Sequence, residues 1–342
     1  MNGLTEIRIF SGQTGRDFAI KMCDFLGVKM GDSETIKFSD GNLFVRINEP
    51  IRDKDVFILQ PIGMDPNNEL VELLFWIDAF KRSSANSVTA IIPYFSYAKG
   101  DKKDEPRVSI RARVCADIIE AAGVDRVLTM DLHSPQVQGF FKKPVDHLVC
   151  MPVLCEAAKR LHMDNITVVA PDVGYAKESR KYAKYLGASV AIGDKNRVDH
   201  NEQAAILDII GDVKDQNIII VDDFTISGGT LVEIAKEVKR RGAKRIIALL
   251  SHNIATEKGV RVLNEIPIEY IISTDTVHNQ SIIGHKKFKT VSVAPIFGEA
   301  IKRYYNLQSV STLFTEVPPE IVKACIDQYG EFDEQLNMLE GK

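Results

Sequence analysis

The sequence predicts an α/β protein with two tandem domains, each a mostly parallel sheet flanked by helices. Three observations support this fold class. Short apolar runs of strand length alternate with segments of helical periodicity almost to the end of the chain. The length of 342 residues suits two domains that each bury a core. Near the middle of the second half, an apolar run leads into two acids, a glycine-rich loop and an amphipathic segment, which is typical of a strand, a turn and a helix.

The strand and helix signals follow one another in order. In the first half, the predicted strands are 7–10, 44–47, 55–59, 88–92 and 127–130, and the predicted helices are 15–26, 67–82 and 110–122. In the second half, the predicted strands are 167–170, 190–192, 218–221, 245–250, 270–272 and 290–293, and the predicted helices are 153–161, 175–186, 232–241 and 295–305. Two prolines flank the interval between these series, so we predict domains at 1–150 and 151–305 and a C-terminal segment with a tail at 306–342.

The composition excludes several classes of protein. A net charge of −4 argues against a general nucleic-acid surface, while local basic clusters favour small phosphorylated ligands. No apolar run has the length of a membrane span and no signal-peptide pattern occurs, so we expect no membrane partner. The five cysteines lack zinc-type spacing, which favours a reducing, cytoplasmic setting.

The strongest functional signal lies at residues 218–231. An apolar run leads into Asp222 and Asp223, and the loop that follows is Thr225-Ile226-Ser227-Gly228-Gly229-Thr230. Unpaired N–H groups and the dipole at a helix start favour phosphate, and glycines let the backbone approach it. The carboxylates can accept hydrogen bonds from ribose hydroxyls or bind a magnesium-bound ligand. The alternative is an ordinary strand-to-helix connection with a capping residue.

Polar side chains also follow two other predicted strands. Asp131 and His133 come after the strand at 127–130, and Asp172 follows the strand at 167–170. The carboxyl ends of parallel strands form the ligand crevice of an open sheet, so these residues are candidates for one cleft. Together they suit Mg²⁺, bound directly or through water, around a nucleoside triphosphate. The alternative for His133 is a structural role.

Two basic segments are candidates for phosphate contacts. Residues 97–107 are highly charged and interrupted by glycine and proline, which predicts a surface loop that includes Lys99. Its cations either neutralise a polyphosphate or form a solvated face. Lys195 and Arg197 follow the strand at 190–192, and their charges suit the charge that builds on a transferring phosphoryl group.

A polar turn at 38–42 carries an aromatic residue. Phe38 offers a face on which a base can stack, and Asp40 or Asn42 can contact the edge of the base or the ribose. Ser-Asp-Gly is also a common structural turn, and that alternative stays open at this point.

As a set, these motifs resemble those of the ribose-phosphate pyrophosphokinases, the phosphoribosyl pyrophosphate synthetases. The resemblance covers nearly the whole chain to about Phe314, in the order seen in that family. The motifs are Phe38-Ser39-Asp40-Gly41, Asp101-Lys102-Lys103-Asp104, Thr129-Met130-Asp131-Leu132-His133, Gln136-Val137-Gln138-Gly139-Phe140-Phe141, Pro171-Asp172, Val221-Asp222-Asp223 and Ser309-Val310-Ser311-Thr312-Leu313-Phe314.

The resemblance implies two phosphoribosyltransferase-like (type I) domains in a homo-oligomer, from a dimer up to a hexamer. It also implies Mg²⁺-dependent transfer of the pyrophosphoryl group of ATP to the anomeric hydroxyl of ribose 5-phosphate. By the same resemblance, Phe38 and Asp40 would hold the adenine, and His133 and Asp172 would lie at the metal and ATP site. The full candidate set for ATP is Phe38, Asp40, Asn42, Lys99, Asp101 and His133, and that for the metal is His133, Asp172 and Asp131. The sugar phosphate would contact Asp222, Asp223 and residues 225–230, and Lys195 and Arg197 would belong to a catalytic loop.

Four positions depart from the usual pattern of the family. Asn42 stands where the family usually has Glu, and Lys99-Gly100 where it usually has Arg-Gln. Lysine keeps the charge of arginine but lacks its planar fork, so bidentate contacts to the nucleotide change. Ile226 stands where the phosphate loop usually has Asp. Plant-type members of the family also lack that Asp, so its absence is compatible with activity. An apolar residue there makes that end of the pocket less dependent on a polar network.

Ile226 motivates a second hypothesis for the acceptor. A 5-substituted ribose phosphate such as ADP-ribose has the same free anomeric hydroxyl, carries less charge at its phosphate and needs room for its second substituent. Its pyrophosphorylated product would feed NAD synthesis. Two further hypotheses are a catalytically silent regulatory subunit, against which the retained charged residues argue, and a phosphoribosyltransferase, which would not need an ATP site.

Overall fold

The computed structural model describes residues 7–194 and 208–327. Contacts divide the chain into two compact units. The first comprises residues up to Val149, with Thr276–His278 and Val293–Ile321, and the second comprises Cys150–Asp275, Asn279–Ser292 and residues from Val322 onward. Each unit therefore combines segments that are distant in the sequence. The domain limits expected at 150 and 305 stay a prediction.

The helices and strands have well-defined bounds. In chain order they are β1 Ile7–Ser11, α1 Arg16–Leu26, β2 Ser33–Lys37, β3 Leu43–Ile47, β4 Asp55–Leu59, α2 Pro66–Arg82, β5 Ser87–Ile92, α3 Arg111–Ala121, β6 Arg126–Met130, β7 Val145–Leu148, α4 Met151–Lys159, β8 Ile166–Ala170, α5 Ala176–Leu186, β9 Ser189–Asp194, β10 Asp208–Ile210, β11 Asn217–Thr225, α6 Gly229–Arg240, β12 Ile246–Asn253, α7 Glu257–Glu265, β13 Tyr270–Thr274, β14 Phe288–Val291, α8 Ala294–Tyr305 and α9 Pro319–Asp327. Short 3-10 helices lie at Gln13–Gly15, Ser96–Lys99, Pro135–Phe140, Gln280–Ile282 and Ser311–Phe314.

The first unit is organised around a five-stranded sheet in the order β1-β4-β5-β6-β7. Every neighbouring pair in it is parallel, and β2 and β3 form a separate antiparallel hairpin. Apolar side chains of the sheet pack against α2, where Trp76 is fully buried. The Trp76 and Phe80 rings stack with centroids 5.5 Å apart, and Phe10 of β1 lies 4.9 Å from Phe80. Burial of these rings fixes α2 on the sheet.

Helix α8 is distant in sequence but packs within the first unit. Phe297 meets Phe18 of α1 edge to face, with ring centroids 5.4 Å apart. Near the end of the helix, the Tyr304 hydroxyl donates to Asp146 Oδ2 at 2.7 Å, and Arg126 pairs with the same carboxylate while lying 4.7 Å from the Tyr304 ring. Burial, followed by the nearby Asp146 carboxylate, raises the pKa of Tyr304 above its usual range, so this hydroxyl stays a donor.

The second unit is a seven-stranded sheet in the order β10-β9-β8-β11-β12-β13-β14. All its neighbouring pairs are parallel except β9 with β10. Residues 218–221 of β11 and all residues of β12 are buried, as expected for central strands covered on both faces. From β8 the chain adds β9 on one side, and it later places β11 on the other side of β8. The strand order therefore reverses between β8 and β11, which opens a crevice at their carboxyl ends.

These sheets confirm the predicted α/β class, although several elements differ from the expectations. β11 continues past the predicted end at 221 to Thr225, and α6 begins at Gly229 rather than at 232. The periodicity did not indicate β2, β7, β10 or α9. The three strands β2, β7 and β10 are short. They form because each pairs with a neighbouring strand, and the local sequence alone does not mark them. No helix in the described ranges is both long and apolar enough to cross a bilayer.

Replacing Tyr304 with Phe tests how α8 is held in the first unit. We expect the free energy of unfolding to fall by about 1 kcal/mol, because Asp146 loses one hydrogen bond while keeping Arg126 as its partner. Urea denaturation measures the change. Tyr305→Phe, at the neighbouring and partly exposed position, is the matched control and should change stability by less than about 0.5 kcal/mol. Equal stability of the two variants would contradict the role given to Tyr304.

Candidate functional site

Three carboxylates lie at the reversal of strand order in the second unit. Asp222 and Asp223 occupy the carboxyl end of β11, and Asp172 follows the end of β8, the neighbouring parallel strand. The register pairs Ile220 of β11 with Val169 of β8, so both strands deliver their polar residues to the same edge of the sheet. This edge is the expected ligand crevice of an open α/β sheet.

The three acids accept hydrogen bonds from backbone N–H groups and interact with one another electrostatically. Asp222 Oδ1 accepts from Asp223 N at 3.0 Å, and Asp223 Oδ1 accepts from Phe224 N at 2.9 Å. Asp172 Oδ1 accepts from Tyr175 N at 3.0 Å, at the start of α5. Burial raises the pKa of Asp222 well above its usual range, and the charges of Asp223 and then Asp172 raise it further. The cluster therefore favours ligands that donate hydrogen bonds or bring positive charge.

The glycine-rich loop connects β11 to α6. Gly228 has φ +80°, and a Cβ atom there would lie 2.7 Å from Leu263 Cγ, so glycine is required at this position. Helix α6 begins at Gly229, whose N–H points to Ser227 Oγ at a donor–acceptor distance of 3.4 Å. Ser227 and Gly229 are exposed, and the loop presents the N-terminus of a twelve-residue helix to solvent. This arrangement suits an anion such as phosphate.

The remaining predicted residues of this loop differ in exposure. Thr225 is the last residue of β11 and is 6% exposed. Ile226 is 39% exposed. Thr230 lies in the first turn of α6 and is partly buried. Sequence reasoning missed Gly259, which packs against the loop backbone: a Cβ atom there would lie 2.4 Å from Ile226 O.

In the first unit, the turn between β2 and β3 carries Phe38, Asp40 and Asn42. The Phe38 side chain is 49% exposed, and its ring lies 6.3 Å from the Phe44 ring. Asp40 Oδ1 accepts from Asn42 N at 3.0 Å, and Asn42 Oδ1 accepts from Leu43 N at 2.9 Å. These local bonds shape the turn, so both side chains have a structural role in the ligand-free protein.

The charged segment after β5 begins with Lys99 and Asp101, both partly buried. Between them, a Cβ atom at Gly100 would meet Arg111 Nε at 2.6 Å and Arg111 Cβ at 2.9 Å. Gly100 O also accepts from Ala112 N at 3.1 Å, at the start of α3. The glycine therefore lets this segment approach α3 closely, which gives a packing reason for one departure from the family pattern.

The segment after β6 carries Asp131 and His133. Asp131 has φ +39°, in the left-handed region that few residues other than glycine adopt, and His133 is exposed. Sequence reasoning missed His147 of β7, whose Nε2 accepts from Leu132 N at 2.8 Å. No local motif marks His147, because the contact joins β7 to the loop that follows β6.

Some predicted site residues are not placed by these observations. Lys195 and Arg197 lie outside the described residues. Within 7–194 and 208–327, no three His, Cys, Asp or Glu side chains are arranged to hold a metal ion by themselves. The shared metal environment of Asp131, His133 and Asp172 stays a prediction.

Fold and site together define an α/β protein with a phosphate-binding type of loop at the carboxyl edge of a parallel sheet. Residues 7–123 match the family model of the N-terminal domain of ribose phosphate pyrophosphokinase, and residues 198–315 match that of the phosphoribosyl synthetase-associated domain. The chain belongs to the ribose-phosphate pyrophosphokinase family.

Individual relatives support the same assignment over most of the chain. The ribose-phosphate pyrophosphokinase of Campylobacter jejuni is 42% identical over 307 residues, which cover 90% of this chain and 98% of that protein. The enzyme of the same name from Chlorobaculum tepidum is 43% identical over 311 residues, covering 91% and 95% of the two chains. The crystal structure of phosphoribosylpyrophosphate synthetase from Mycobacterium smegmatis matches with a TM-score of 0.82 at 32% identity, covering 89% of this chain and all of that chain. This similarity confirms the predicted fold class of two tandem phosphoribosyltransferase-like domains.

The raised pKa of Asp222 predicts a pH-dependent stability. The folded state keeps this proton at pH values where the unfolded chain has lost it. The resulting contribution to the free energy of unfolding is present at low pH and is lost as the pH rises through the folded pKa. Asp222→Asn removes this pH-dependent loss, so we expect the variant to be more stable than the parent near neutral pH, with the difference shrinking toward acid pH.

Urea denaturation of the ligand-free protein over a pH series measures this difference. Asp164→Asn, at an exposed carboxylate in the same unit, is the matched control and should follow the parent at every pH. A parallel pH dependence of the parent and Asp222→Asn would refute the electrostatic cost assigned to Asp222.

Proposed function

We propose that this protein transfers the β,γ-pyrophosphoryl group of ATP to the anomeric hydroxyl of ribose 5-phosphate, giving phosphoribosyl pyrophosphate and AMP. The main observation behind this proposal is that Asp222 and Asp223 lie beside a glycine-rich helix start, where the strand order of the sheet reverses. The chain is also 42% identical to a ribose-phosphate pyrophosphokinase. A phosphoribosyltransferase would use a similar loop. It would not need the N-terminal pyrophosphokinase domain that residues 7–123 match.

On the acceptor side, the loop and the acids have complementary roles. Backbone N–H groups at Gly228 and Gly229, with the hydroxyls of Ser227 and Thr230, are suited to the 5-phosphate at the start of α6. Asp222 and Asp223 are suited to accept hydrogen bonds from the ribose hydroxyls. Such bonds would add to the backbone N–H groups that Asp222 and Asp223 already accept from. The sugar is thereby held with its anomeric oxygen oriented for attack.

The chemistry of the acidic cluster also fits Mg²⁺. Carboxylate oxygens are hard donors. Burial first, and then the charges of Asp223 and Asp172, raise the pKa of Asp222, so a cation there would favour its ionised form. Nucleotide-dependent enzymes usually hold Mg²⁺ through one or two carboxylates and the substrate phosphates, so a cage of protein ligands is not required. We propose Asp172 as one ligand, with Asp131 and His133 as further candidates. When bound, the ion neutralises charge on the phosphates.

On the nucleotide side, Phe38 is our candidate for stacking on adenine. Its exposed ring leaves a face accessible to a planar base. Asp40 and Asn42 lie in the same turn, where a base edge or a ribose hydroxyl can compete for their local hydrogen bonds. Lys99, with Asp101 and His133, completes the proposed ATP-binding set. Lys99 supplies a point charge for phosphate rather than a planar fork.

The proposed chemical step is in-line attack by the anomeric oxygen on the β-phosphorus of ATP. The new O–P bond forms as the bond to the α-phosphate oxygen breaks, and AMP leaves. Lys195 and Arg197 are our candidates for stabilising the charge on the transferring group. Positioning and electrostatics supply most of the catalysis in phosphoryl transfer, and no described residue is needed as a strong general base.

The enzyme we propose is a cytoplasmic homo-oligomer, between a dimer and a hexamer.

Lys195→Ala tests the catalytic assignment. We expect kcat to fall by about a hundredfold or more while the KM for ATP changes little, because the lysine acts on charge that develops in the transition state. Steady-state kinetics with ATP and ribose 5-phosphate separate the two parameters. Lys214→Ala, at an exposed lysine of the second unit, is the control. Comparable losses in kcat and ATP binding would assign Lys195 to ground-state binding instead.

The overall reaction is tested by AMP release. With ATP, Mg²⁺ and ribose 5-phosphate, we expect stoichiometric AMP and phosphoribosyl pyrophosphate, with no turnover when Mg²⁺ is chelated. Absence of AMP with every sugar phosphate tried, together with co-purification with an active enzyme, would instead favour a silent regulatory subunit.

A 5-substituted acceptor such as ADP-ribose is the second candidate, and Ile226 is the observation that favours it. The side chain is 39% exposed beside the loop, so the position offers an apolar surface and no negative charge to a second substituent. ADP-ribose carries one charge at the proximal phosphate where ribose 5-phosphate carries nearly two. The product of the transfer would then be a pyrophosphorylated ADP-ribose, which would feed NAD synthesis.

Ile226→Asp distinguishes the two acceptors. If ADP-ribose is the acceptor, a new carboxylate beside its diphosphate should lower kcat/KM for ADP-ribose by about tenfold or more. Ile226→Asn, which is polar and uncharged, is the matched control and should lower it less. Turnover with ribose 5-phosphate and none with ADP-ribose in the parent protein would eliminate this second candidate.

A further inference from the structure

The backbone of the phosphate loop is held by the segment that precedes and begins α7. Thr256 N donates to Ile226 O at 3.0 Å, and Thr256 Oγ1 accepts from Gly259 N at 3.2 Å as the N-cap of α7. A Cβ atom at Gly259 would lie 2.4 Å from Ile226 O and 3.2 Å from Ser227 C. The start of α7 is therefore in direct contact with the loop, on the peptides that flank its glycines.

Two buried asparagines hold this segment in turn. Asn279 is 4% exposed, and its Nδ2 donates to Asn253 O at 3.1 Å and to Ala255 O at 2.9 Å. Asn279 Oδ1 accepts from Ser281 N at 2.9 Å, which fixes the orientation of the amide. Asn253 Oδ1 accepts from Ala255 N at 3.2 Å. A single amide group of Asn279 thus satisfies two buried carbonyls next to Thr256.

We propose that Asn279 is a positioning residue for the acceptor's 5-phosphate. It acts through residues 253–256 on Ile226 and Ser227 and does not touch the substrate. This inference rests on the function proposed above. Its physical basis is that the phosphate donors are mainly backbone N–H groups in an exposed, glycine-rich loop, whose many accessible conformations must be restricted before they converge on one anion.

Ile226 increases the dependence of the loop on this support. A carboxylate at that position could accept hydrogen bonds from neighbouring N–H groups and order the loop from within, whereas an isoleucine side chain cannot. The backbone of Ile226 is restrained by the hydrogen bond from Thr256 N and by the close approach of Gly259. Asn279 donates to two carbonyls of the segment that leads into both residues.

Asn279→Asp is the primary test. The substitution keeps the size of the side chain and an oxygen for Ser281 N, but it places a second oxygen where the amide donates to two carbonyls. We expect the KM for ribose 5-phosphate to rise about tenfold or more, with kcat and the KM for ATP within about twofold of the parent. Asn264→Asp is the matched control, since Asn264 lies on α7 but contacts His285 rather than the loop. It should leave all three parameters unchanged.

Two further variants keep the inference falsifiable if Asn279→Asp folds poorly. Asn279→Gln retains the amide and should recover part of the lost acceptor affinity. Gly259→Ala places a methyl group against Ile226 O and so disturbs the loop backbone directly. It should raise the KM for ribose 5-phosphate without altering the KM for ATP. A merely structural role would lower the melting temperature without this split between the substrates. An unchanged acceptor KM in folded Asn279→Asp, or equal losses for both substrates, would overturn the inference.

Calorimetric titration of ribose 5-phosphate without ATP separates this inference from the proposed function. Weaker binding to Asn279→Asp than to the parent supports the positioning role even if no AMP is formed. Equal binding overturns it even if the parent is an active pyrophosphokinase. A parent protein that binds neither ribose 5-phosphate nor ADP-ribose would refute the positioning role and the proposed acceptors together.

Discussion

Negative charge placed where the strand order reverses is the constraint on which the second unit's site depends. The fold sets Asp222 in a central strand, directly before Asp223 and near Asp172, and the pKa of Asp222 rises because burial and its neighbours disfavour the charged form. A cluster of three acids of this kind does not stabilise the core of the second unit. The buried apolar residues of β11 and β12 offset its cost, and the acids gain partners when a ligand brings hydroxyl donors or a cation.

The glycine-rich loop meets a complementary requirement. Its glycines allow close approach to an anion, but the same freedom gives the unbound loop many conformations. Besides the bond from Gly229 N to Ser227 Oγ, the loop has contacts from outside, through Thr256 and Gly259 at the start of α7 and through Leu263 beside Gly228. Acids on a central strand and N–H donors on a loop held by its neighbours together suit a polyhydroxylated, phosphorylated ligand, because hydroxyl groups donate to the acids and the phosphate accepts from the loop.

The fold and the acidic pair could be predicted because their signals are local. Apolar runs mark the central strands, and Asp222, Asp223 and the glycines are contiguous in the sequence. The end of β11 was misplaced, since two acids interrupt the apolar pattern and only pairing with β12 carries the strand to Thr225. Gly259, Asn279 and His147 were missed for the opposite reason. Each acts on a segment that is distant in the sequence, and an isolated glycine, asparagine or histidine gives no periodic signal.

The four departures from the family pattern differ in how far local structure explains them. Gly100 is accounted for by its approach to Arg111, and Asn42 by its bond to the next backbone N–H, so both are consistent with local structure alone. Lys99 preserves the charge that a phosphate requires. Ile226 is not accounted for in this way: its side chain is 39% exposed, its backbone carbonyl accepts from Thr256 N, and an apolar side chain offers no hydrogen bond to a phosphate dianion. Among the four, this position is therefore the one at which a change of acceptor would be expressed.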